Sequence, residues 1–425
     1  MHEDFKISID GLSKIEGHAS LDVKVRNGKV EDVKLKISEN KRFYTQAIRG
    51  KQFQTVPQLV SRICGTCSVA HLTCCTEAVE KALEIEPSEQ TIMLRKLMMY
   101  GTMIRDHAMH LYLFSLPDVL GKDSVLEFDE RQHELVHQAF DVKRAGNDLT
   151  KLIGGRAIHP PFAQIGNFSR IPEKSETKKV IKEMKSVRSH IFDLVKIFYD
   201  CEFSFRRKNT FVALTTDDFS FLEGVIKSSH RLIIPEQFYW DHLHRVIIPY
   251  SQATGYEFEG RDFMVGSLAR MNLNRERLHK NTRNDLAKYI RAFPSENVYH
   301  NNLAQAIEIM HSIDHSIEIL EGSNFKKEPQ VKFKIKEGKG VGVIEAPRGT
   351  LYYAIDLDNQ GKIIYGNLVI PTAQNQIRME NDIKKLVANN MGKNKEFIQN
   401  EIEKLIRAYD PCMTCATHFL KVRWL

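Results

Sequence analysis

Apolar and polar residues alternate near the start of the chain in a pattern typical of a β-hairpin. The alternation runs over 18–25 and again over 30–37, and Asn27-Gly28 stands between the two runs. Asn-Gly between alternating segments is a strong hairpin signal, because both residues accept the positive φ angles of a tight turn. The pattern predicts a β-hairpin region over residues 1–40.

Apolar residues recur at intervals of three and four through most of the sequence that follows. The segments with this spacing are 56–83, 88–116, 127–152, 173–199 and 301–320. The spacing places apolar side chains on one face of a helix, which then packs against its neighbours. A helical core is therefore predicted over 56–320.

Alternation returns over 331–370 and predicts a second β region, 331–375. Two further helical patterns, at 379–390 and 395–407, belong to a C-terminal segment, 379–425, that also holds the last cysteines. The predicted fold class is α+β, mainly α, with a central bundle of long helices and small β regions near the N-terminus and in the C-terminal third. No repeat or linker divides the chain, so we expect a single unit over 1–425.

Composition and charge exclude several classes of protein. The chain has 425 residues, and its net charge of +7 is scattered rather than gathered in a basic arm, so nucleic-acid binding is not indicated. No apolar run approaches the ~20 residues that cross a bilayer, and the first residues lack a secretory signal pattern. We therefore expect a cytoplasmic protein without direct membrane insertion.

The cysteines form the main candidate for chemistry. Seven cysteines without an export signal argue for reduced thiols rather than a disulfide framework. Two Cys-x-x-Cys pairs stand out, Cys64 with Cys67 and Cys412 with Cys415, and this spacing lets both sulfurs of a pair reach one metal. The other cysteines, Cys74, Cys75 and Cys201, are interpreted as small buried apolar residues.

Spacing alone leaves a structural zinc site open as an explanation of the two pairs. Zinc modules place their pairs ~15–20 residues apart, whereas here almost the whole chain lies between them. Candidate supporting residues flank both pairs: Arg62 and His71 the first, Asp410 and His418 the second. These features favour a site with chemistry over a structural one.

Both pairs lie in longer motifs that resemble those of nickel-iron hydrogenase large subunits. The motifs are Arg62-Ile63-Cys64-Gly65-Thr66-Cys67 with His71, and Asp410-Pro411-Cys412-Met413-Thr414-Cys415 with His418. The resemblance continues through Glu16 in KIEGH, Arg156 and His159 in GGRAIHP, EAPRG at 345–349 and PTAQN at 371–375. Within the family, the chain is most similar to the cytosolic bidirectional group of sulfhydrogenases and heterodisulfide-reductase-linked enzymes.

The resemblance implies a nickel ion held by all four cysteines, with Cys64 and Cys412 terminal. Cys67 and Cys415 would bridge to an iron that carries carbon monoxide and cyanide. The implied activity is reversible heterolytic oxidation of dihydrogen, and the base that receives the proton is either a terminal thiolate or Arg348.

Such a centre is anionic and requires cations and donors nearby. Arg348 and Arg62 fit this need, and Asp106 and Asp410 match carboxylates that orient the arginine in related enzymes. The alternative for Asp106 is a pair with Arg105 on a helix surface.

Further roles are implied by the same resemblance. Glu16 would carry protons away from Cys412, although it could also be an exposed turn residue. His71 would donate to a cysteine sulfur, Thr372 to a cyanide, and Pro347 would line the cofactor site.

Two features depart from the family pattern. Many members bind magnesium or iron through a glutamate at the position of Thr45, so a third metal would here need Glu39, His418 and the backbone carbonyl of Gln376. Members are also usually trimmed after the histidine equivalent to His418 by a maturation protease, once nickel-insertion proteins have acted. The segment 419–425 therefore indicates a precursor, a form that bypasses processing or a member that keeps its tail.

Electrons must leave through a partner, because the remaining cysteines are too few for a relay of iron-sulfur clusters. The resemblance implies an iron-sulfur small subunit and further electron-transfer subunits of flavin or heterodisulfide-reductase type. The competing hypotheses are a non-catalytic zinc or iron-sulfur scaffold and a hydrogen-sensing subunit. A relative of the quinone-reducing respiratory complexes, which lack these cysteines, fits poorly.

Overall fold

The computed structural model describes residues 4–39 and 43–417. Its strands are β1 Phe5–Ile9, β2 Ala19–Arg26, β3 Lys29–Ile37, β4 Val212–Thr215, β5 Val225–Ser228, β6 Ile233–Ile234, β7 Leu243–Ile247, β8 Thr254–Phe258, β9 Gly338–Ala346, β10 Gly349–Leu357 and β11 Ile363–Val369. Its helices are α1 Tyr44–Ala47, α2 Val56–Val60, α3 Ser68–Leu83, α4 Glu89–Ala108, α5 Leu116–Val119, α6 His133–Gly154, α7 Lys174–Tyr199, α8 Ser267–Asn274, α9 Lys280–Asp285, α10 Ala287–Ile290, α11 His300–Gly322, α12 Pro371–Asn389, α13 Lys395–Ala408 and α14 Met413–Ala416. The predicted class, α+β and mainly α, is confirmed.

The N-terminal sheet contains the predicted hairpin. β2 pairs antiparallel with β3, and Asn27 and Gly28 take φ angles of 49° and 67° in the turn between them. β1 adds a third antiparallel strand on the other side of β2. One face of the sheet is buried, as the alternation required.

The long helices pack on one another in the middle of the molecule. α4 lies against α6 and α11, and α7 packs against α6 and α11. A π-helical turn, Met109–Ser115, follows α4 directly and directs the His110 side chain towards Gln305. The described residues include no helix with the length and apolar content needed to span a membrane. The cytoplasmic location stays a prediction.

The helical core predicted over 56–320 is interrupted by β structure. Strands β4 to β8 form a three-stranded and a two-stranded sheet between α7 and α8. These strands have two to five residues, too short to leave a clear alternating pattern. The prediction of a continuous helical core is therefore wrong for residues 212–258.

The C-terminal sheet packs directly on α3. Its order is β11-β10-β9, and every pair is antiparallel. Gly338, Gly340 and Gly342 of β9 face backbone carbonyls of α3, so closely that a Cβ on any of them would overlap a carbonyl oxygen. Glycine is required here because strand and helix backbones approach to contact.

Gly340→Ala is expected to destabilise the fold by about 3 kcal/mol, the upper range for overpacking a core. Its Cβ would collide with the Ala78 carbonyl oxygen, which belongs to a rigid helix and cannot move aside. Chemical denaturation followed by circular dichroism measures the change. Gly392→Ala is the matched control, since nothing lies within 4 Å of a Cβ there, and an equal loss in both variants would contradict the packing argument.

The segment predicted as the end of the second β region differs in the structure. α12 begins at Pro371, so PTAQN forms the first turn of a helix rather than the end of a strand. Proline is favoured at this position because the first helical N–H has no intrahelical acceptor. β9 likewise begins at Gly338, and 323–337 has no regular secondary structure.

Candidate metal centre

Four cysteines from the two ends of the chain meet in the interior. The Sγ atoms of Cys64, Cys67, Cys412 and Cys415 all lie within 4.8 Å of one another, and all four residues are buried. The sulfurs of Cys67 and Cys415 are 3.0 Å apart, those of Cys412 and Cys415 are 2.9 Å apart, and those of Cys64 and Cys412 are 3.6 Å apart. This is the only such group of metal-type side chains among the described residues.

Each pair is held by a short turn that leads into a helix. Cys64 is extended, and Cys67 is the N-cap residue of α3. Cys412 is extended before α14, and it forms a parallel β-bridge with Glu16. A thiolate at the start of a helix is stabilised by the unpaired N–H groups and the positive end of the helix dipole.

The electrostatics of the bare sulfur cluster favour a bound cation. Hydrogen bonds from Cys412, Cys415 and Cys67 lower the pKa of Cys64, whereas burial raises the pKa of Cys412 and Cys415 well above the usual value. One thiolate therefore forms readily, but each further buried negative charge is costly without a partner. A soft metal cation removes that cost, and four thiolates are its preferred ligands.

A small cavity lies against the sulfurs on one side. Its lining residues are Cys67, His71, Ala346, Pro347, Arg348, Leu351, Ile370, Pro371, Thr372, Cys412 and Cys415. Mostly apolar walls with one cation and one hydroxyl suit small, weakly basic metal ligands. The donor set and the cavity together fit a nickel-iron centre whose iron carries carbon monoxide and cyanide.

Arg348 lies at the cavity between two carboxylates. Its Nη1 donates to Asp106 Oδ2 at 2.6 Å and its Nη2 to Asp410 Oδ1 at 2.9 Å. Gln305 donates to the second oxygen of Asp410 at 2.8 Å. Burial disfavours the charged guanidinium, but the two carboxylates outweigh it and raise the pKa of Arg348 well above its usual value. Arg348 is therefore a fixed positive charge beside the cysteines.

The alternative pairing of Asp106 with Arg105 on a helix surface does not form. Both side chains are buried, and Arg105 instead donates to the backbone carbonyls of Ala157 and Thr66. Arg105 thus braces the Cys64–Cys67 loop through Thr66, a role that the sequence pattern did not reveal. Arg62 is exposed, and its backbone carbonyl accepts a hydrogen bond from the Tyr44 hydroxyl.

Glu16 lies at the other side of the sulfurs. Its Oε2 is 3.0 Å from the Sγ of Cys412, and its Oε1 is 3.8 Å from that of Cys64. The backbone N–H of Thr414 also donates to Oε2, at 3.2 Å. Burial, together with the charge of Cys64, raises the pKa of Glu16. The alternative of an exposed turn glutamate is therefore wrong.

Two predicted supporting residues also line the cavity. The Thr372 hydroxyl accepts the backbone N–H of Cys412 at 2.9 Å, which leaves its own O–H available to donate. His71 Nδ1 lies 2.8 Å from the Tyr353 hydroxyl. Burial raises the pKa of Tyr353 well above its usual value, so the phenol stays protonated and can donate to Nδ1. The direction of this hydrogen bond is set by the tautomer of His71, because a protonated phenol also accepts.

The remaining predictions concern residues around the centre. Cys74 and Cys75 are buried in α3, and burial raises the pKa of both, in keeping with inert thiols; Cys201 is half-buried. Glu39 accepts from His18, and the Gln376 side chain donates to the Leu35 carbonyl. His418 and 419–425 lie outside the described residues, so the third metal and the processing of the tail stay predictions.

Four buried thiols that converge beside a fixed cation and the half-buried carboxyl of Glu16 are typical of a metal-dependent oxidoreductase site rather than a structural zinc site. The model of the protein family "Nickel-dependent hydrogenase" matches residues 42–152 and 242–418 of this chain. The chain belongs to this family and is a nickel-iron hydrogenase subunit, whose activity is the reversible oxidation of dihydrogen.

The similarity to other hydrogenase subunits extends over almost the whole chain. Sulfhydrogenase 2 subunit alpha of Pyrococcus furiosus is 33% identical over 98% of this chain and 100% of its own length. The NAD-reducing hydrogenase HoxS subunit beta of Cupriavidus necator is 27% identical over 98% of this chain and 95% of its own. A solved NAD+-reducing [NiFe]-hydrogenase in the H2-reduced state has the same fold, with a TM-score of 0.84 at 24% identity over 97% of this chain and 99% of that one.

Proposed function

We propose that this chain is the hydrogen-activating subunit of its enzyme, with Cys64 and Cys412 as terminal nickel ligands and Cys67 and Cys415 as the ligands shared with iron. The observation that carries the proposal is the meeting of the four thiols beside Arg348. The placement of the cavity supports Cys64 as a terminal ligand, because Cys67, Cys412 and Cys415 line the cavity and Cys64 does not. The convergence of both chain ends on one centre also supports a single unit over 1–425.

When bound, the nickel-iron centre supplies the two-electron cleavage of dihydrogen into a hydride equivalent and a proton. The residues of this chain hold the centre and supply charge, apolar walls and a hydroxyl donor around it. Arg348, held by Asp106 and Asp410, presents positive charge to the cavity, where cleavage separates charge. Pro347 and Leu351 contribute apolar walls that limit water, and Thr372 offers a hydroxyl donor.

The proton leaves on the side of Glu16. Its carboxyl is within hydrogen-bond reach of the Cys412 sulfur, so a proton on that sulfur can pass to Oε2 without an intervening group. The raised pKa brings the carboxyl closer to the affinity for protons that a relay needs at neutral pH. Arg348 lies at the cavity and is the alternative base, but its strong positive charge opposes that role.

Glu16→Gln is expected to lower hydrogen oxidation by about 100-fold or more, the scale of a lost acid-base group, while nickel content stays near that of the wild type. Glutamine keeps the shape and the hydrogen bond from Thr414 but cannot take up a proton. Exchange between deuterium gas and solvent protons measures the step directly.

Glu380→Gln is the matched control for this variant. Glu380 is also largely buried, with a pKa raised to about 7 mainly by burial, but it accepts from Leu35 N–H and Tyr250 away from the cysteines. Wild-type exchange in Glu16→Gln, or an equal loss in Glu380→Gln, would contradict the relay.

We propose that an iron-sulfur subunit docks over the Cys64–Cys67 loop. The relatives above are named as subunits, which supports an assembly. The loop brings exposed groups next to the centre, since Gly65 and Arg62 are exposed beside buried Cys64. Ile158, 42% exposed, and the exposed Arg156 lie in the neighbouring segment, where His159 contacts Ser61. An acceptor cluster there would have a short path for electrons.

The decisive test is anaerobic purification with the native partner, followed by nickel, iron and zinc analysis and infrared spectroscopy in the carbonyl and cyanide stretching region. Near-equimolar nickel with those bands is expected. Zinc without them would overturn the proposal and favour a scaffold. Full nickel loading with the bands but very slow turnover would instead indicate a hydrogen-sensing subunit.

A further inference from the structure

Arg270 of α8 is a fully buried arginine that contacts α11, β9 and the turn at 347–348. This turn, which joins β9 to β10, is called the Arg348 turn below. Only 2% of the surface of Arg270 is exposed. Its Nε and Nη2 donate to the two oxygens of Glu308 on α11, both at 2.7 Å, and its Nη1 donates to Glu345 Oε2 on β9 at 2.7 Å. A fork of five N–H donors is needed for this arrangement, which lysine cannot reproduce.

The same guanidinium also reaches the two carbonyl groups that precede Arg348. Nη1 donates to the Ala346 oxygen at 3.1 Å, and Nη2 donates to the Pro347 oxygen at 3.0 Å. The Pro347 carbonyl belongs to the planar peptide unit that enters Arg348. Fixing the direction of that carbonyl fixes the orientation of the backbone from which the Arg348 side chain extends.

The anchor that holds Arg270 is itself rigid. Glu308 also accepts from Ser267 at 2.7 Å and contacts His107 at 2.9 Å. The other oxygen of Glu345, Oε1, accepts from the Leu214 N–H and the Thr350 hydroxyl, both at 2.7 Å. Because every oxygen of the two carboxylates is engaged, the position of Arg270 is set by three elements rather than by its own rotamer.

We propose that Arg270 is a positioning residue for hydrogen activation, which sets where the Arg348 guanidinium stands at the metal cavity. Arg348 is then restrained at both ends. Asp106 and Asp410 hold its guanidinium, and Arg270 holds its backbone. The inference rests on the proposed role of Arg348 and adds a group that touches neither the cysteines nor the cavity.

The test compares wild type, Arg270→Lys, Arg348→Lys and the double variant, each purified with its partner. Arg270→Lys is expected to bind nickel, to shift the carbonyl and cyanide bands in the same direction as Arg348→Lys, and to lower turnover per nickel by about 10- to 100-fold, as a displaced catalytic group does. In the Arg348→Lys background, the second change should cost little more, because both act through one group.

Arg378→Lys is the matched control. Arg378 is equally buried and engaged with carboxylates and backbone carbonyls, but it lies on α12 and contacts 207–208 instead of the turn. It should lose stability without moving the bands. Lowered stability in Arg270→Lys with wild-type bands and turnover per nickel would overturn the proposal, as would additive losses in the double variant.

If Arg270→Lys accumulates no metal, Ser267→Ala decides the question. The Ser267 hydroxyl lies 2.9 Å from Arg270 Nη2 and donates to Glu308. It shares the two N–H groups of Nη2 with Glu308 and Pro347, so its loss loosens the anchor mildly. Shifted bands would support positioning, and unchanged bands would overturn it. The wild-type spectrum separates the two proposals, since missing bands there would refute the proposed function instead.

Discussion

Cys415→Ser is expected to yield a folded chain that retains almost no nickel and shows no hydrogen turnover above background. The Cys415 sulfur lies 3.0 Å from that of Cys67 and 2.9 Å from that of Cys412, at the crowded side of the cluster. A serine oxygen is a hard, poorly ionised donor and a weak ligand for a soft metal. Metal analysis and hydrogen uptake measure the loss, and circular dichroism shows that the helices persist.

Cys75→Ser is the matched control, since it makes the same atomic change at a fully buried cysteine of α3 that is not one of the four. It should keep nickel and turnover, with some loss of stability from burying a hydroxyl. Normal nickel content in Cys415→Ser would refute the assignment of this sulfur as a ligand.

Arg348→Lys is expected to lower turnover by about 100- to 1,000-fold with nickel content near that of the wild type, the scale of losing one preorganised donor at a site of developing charge. Lysine keeps the charge, but it cannot bridge Asp106 and Asp410 with a planar fork. Hydrogen oxidation and evolution, both normalised to nickel, are the measurements.

A second buried arginine separates this effect from general damage. Arg407 is paired with Asp118 and Glu403 and does not line the cavity, so Arg407→Lys should reduce stability and spare turnover per nickel. Turnover at the wild-type level in Arg348→Lys would mean that the cavity needs only a positive charge and no fixed geometry.

Regular patterns in the sequence were sufficient for the longest elements. The three-and-four spacing of apolar residues predicted the helices that became α3, α4, α6, α7 and α11, because residues at that spacing lie on the same face of a helix. The short strands β4 to β8 carried no such signal, since two to five residues cannot establish a period. Pro371 was a local signal for the start of α12, but the apolar alternation before it extended the strand prediction too far.

The sequence by itself determined the candidate ligands, because two Cys-x-x-Cys motifs specify both the type and the local spacing of the donors. It also placed Arg348, Glu16 and the carboxylates Asp106 and Asp410 among the candidates. Only the tertiary structure decided how these groups face one another. In the structure, Arg105 is buried and donates to the Cys64–Cys67 loop, whereas Arg62 is exposed. Arg270 donates to the carbonyl that precedes Arg348. The physical reason is that burial and hydrogen bonding depend on contacts between residues far apart in the chain, which no local period or motif records.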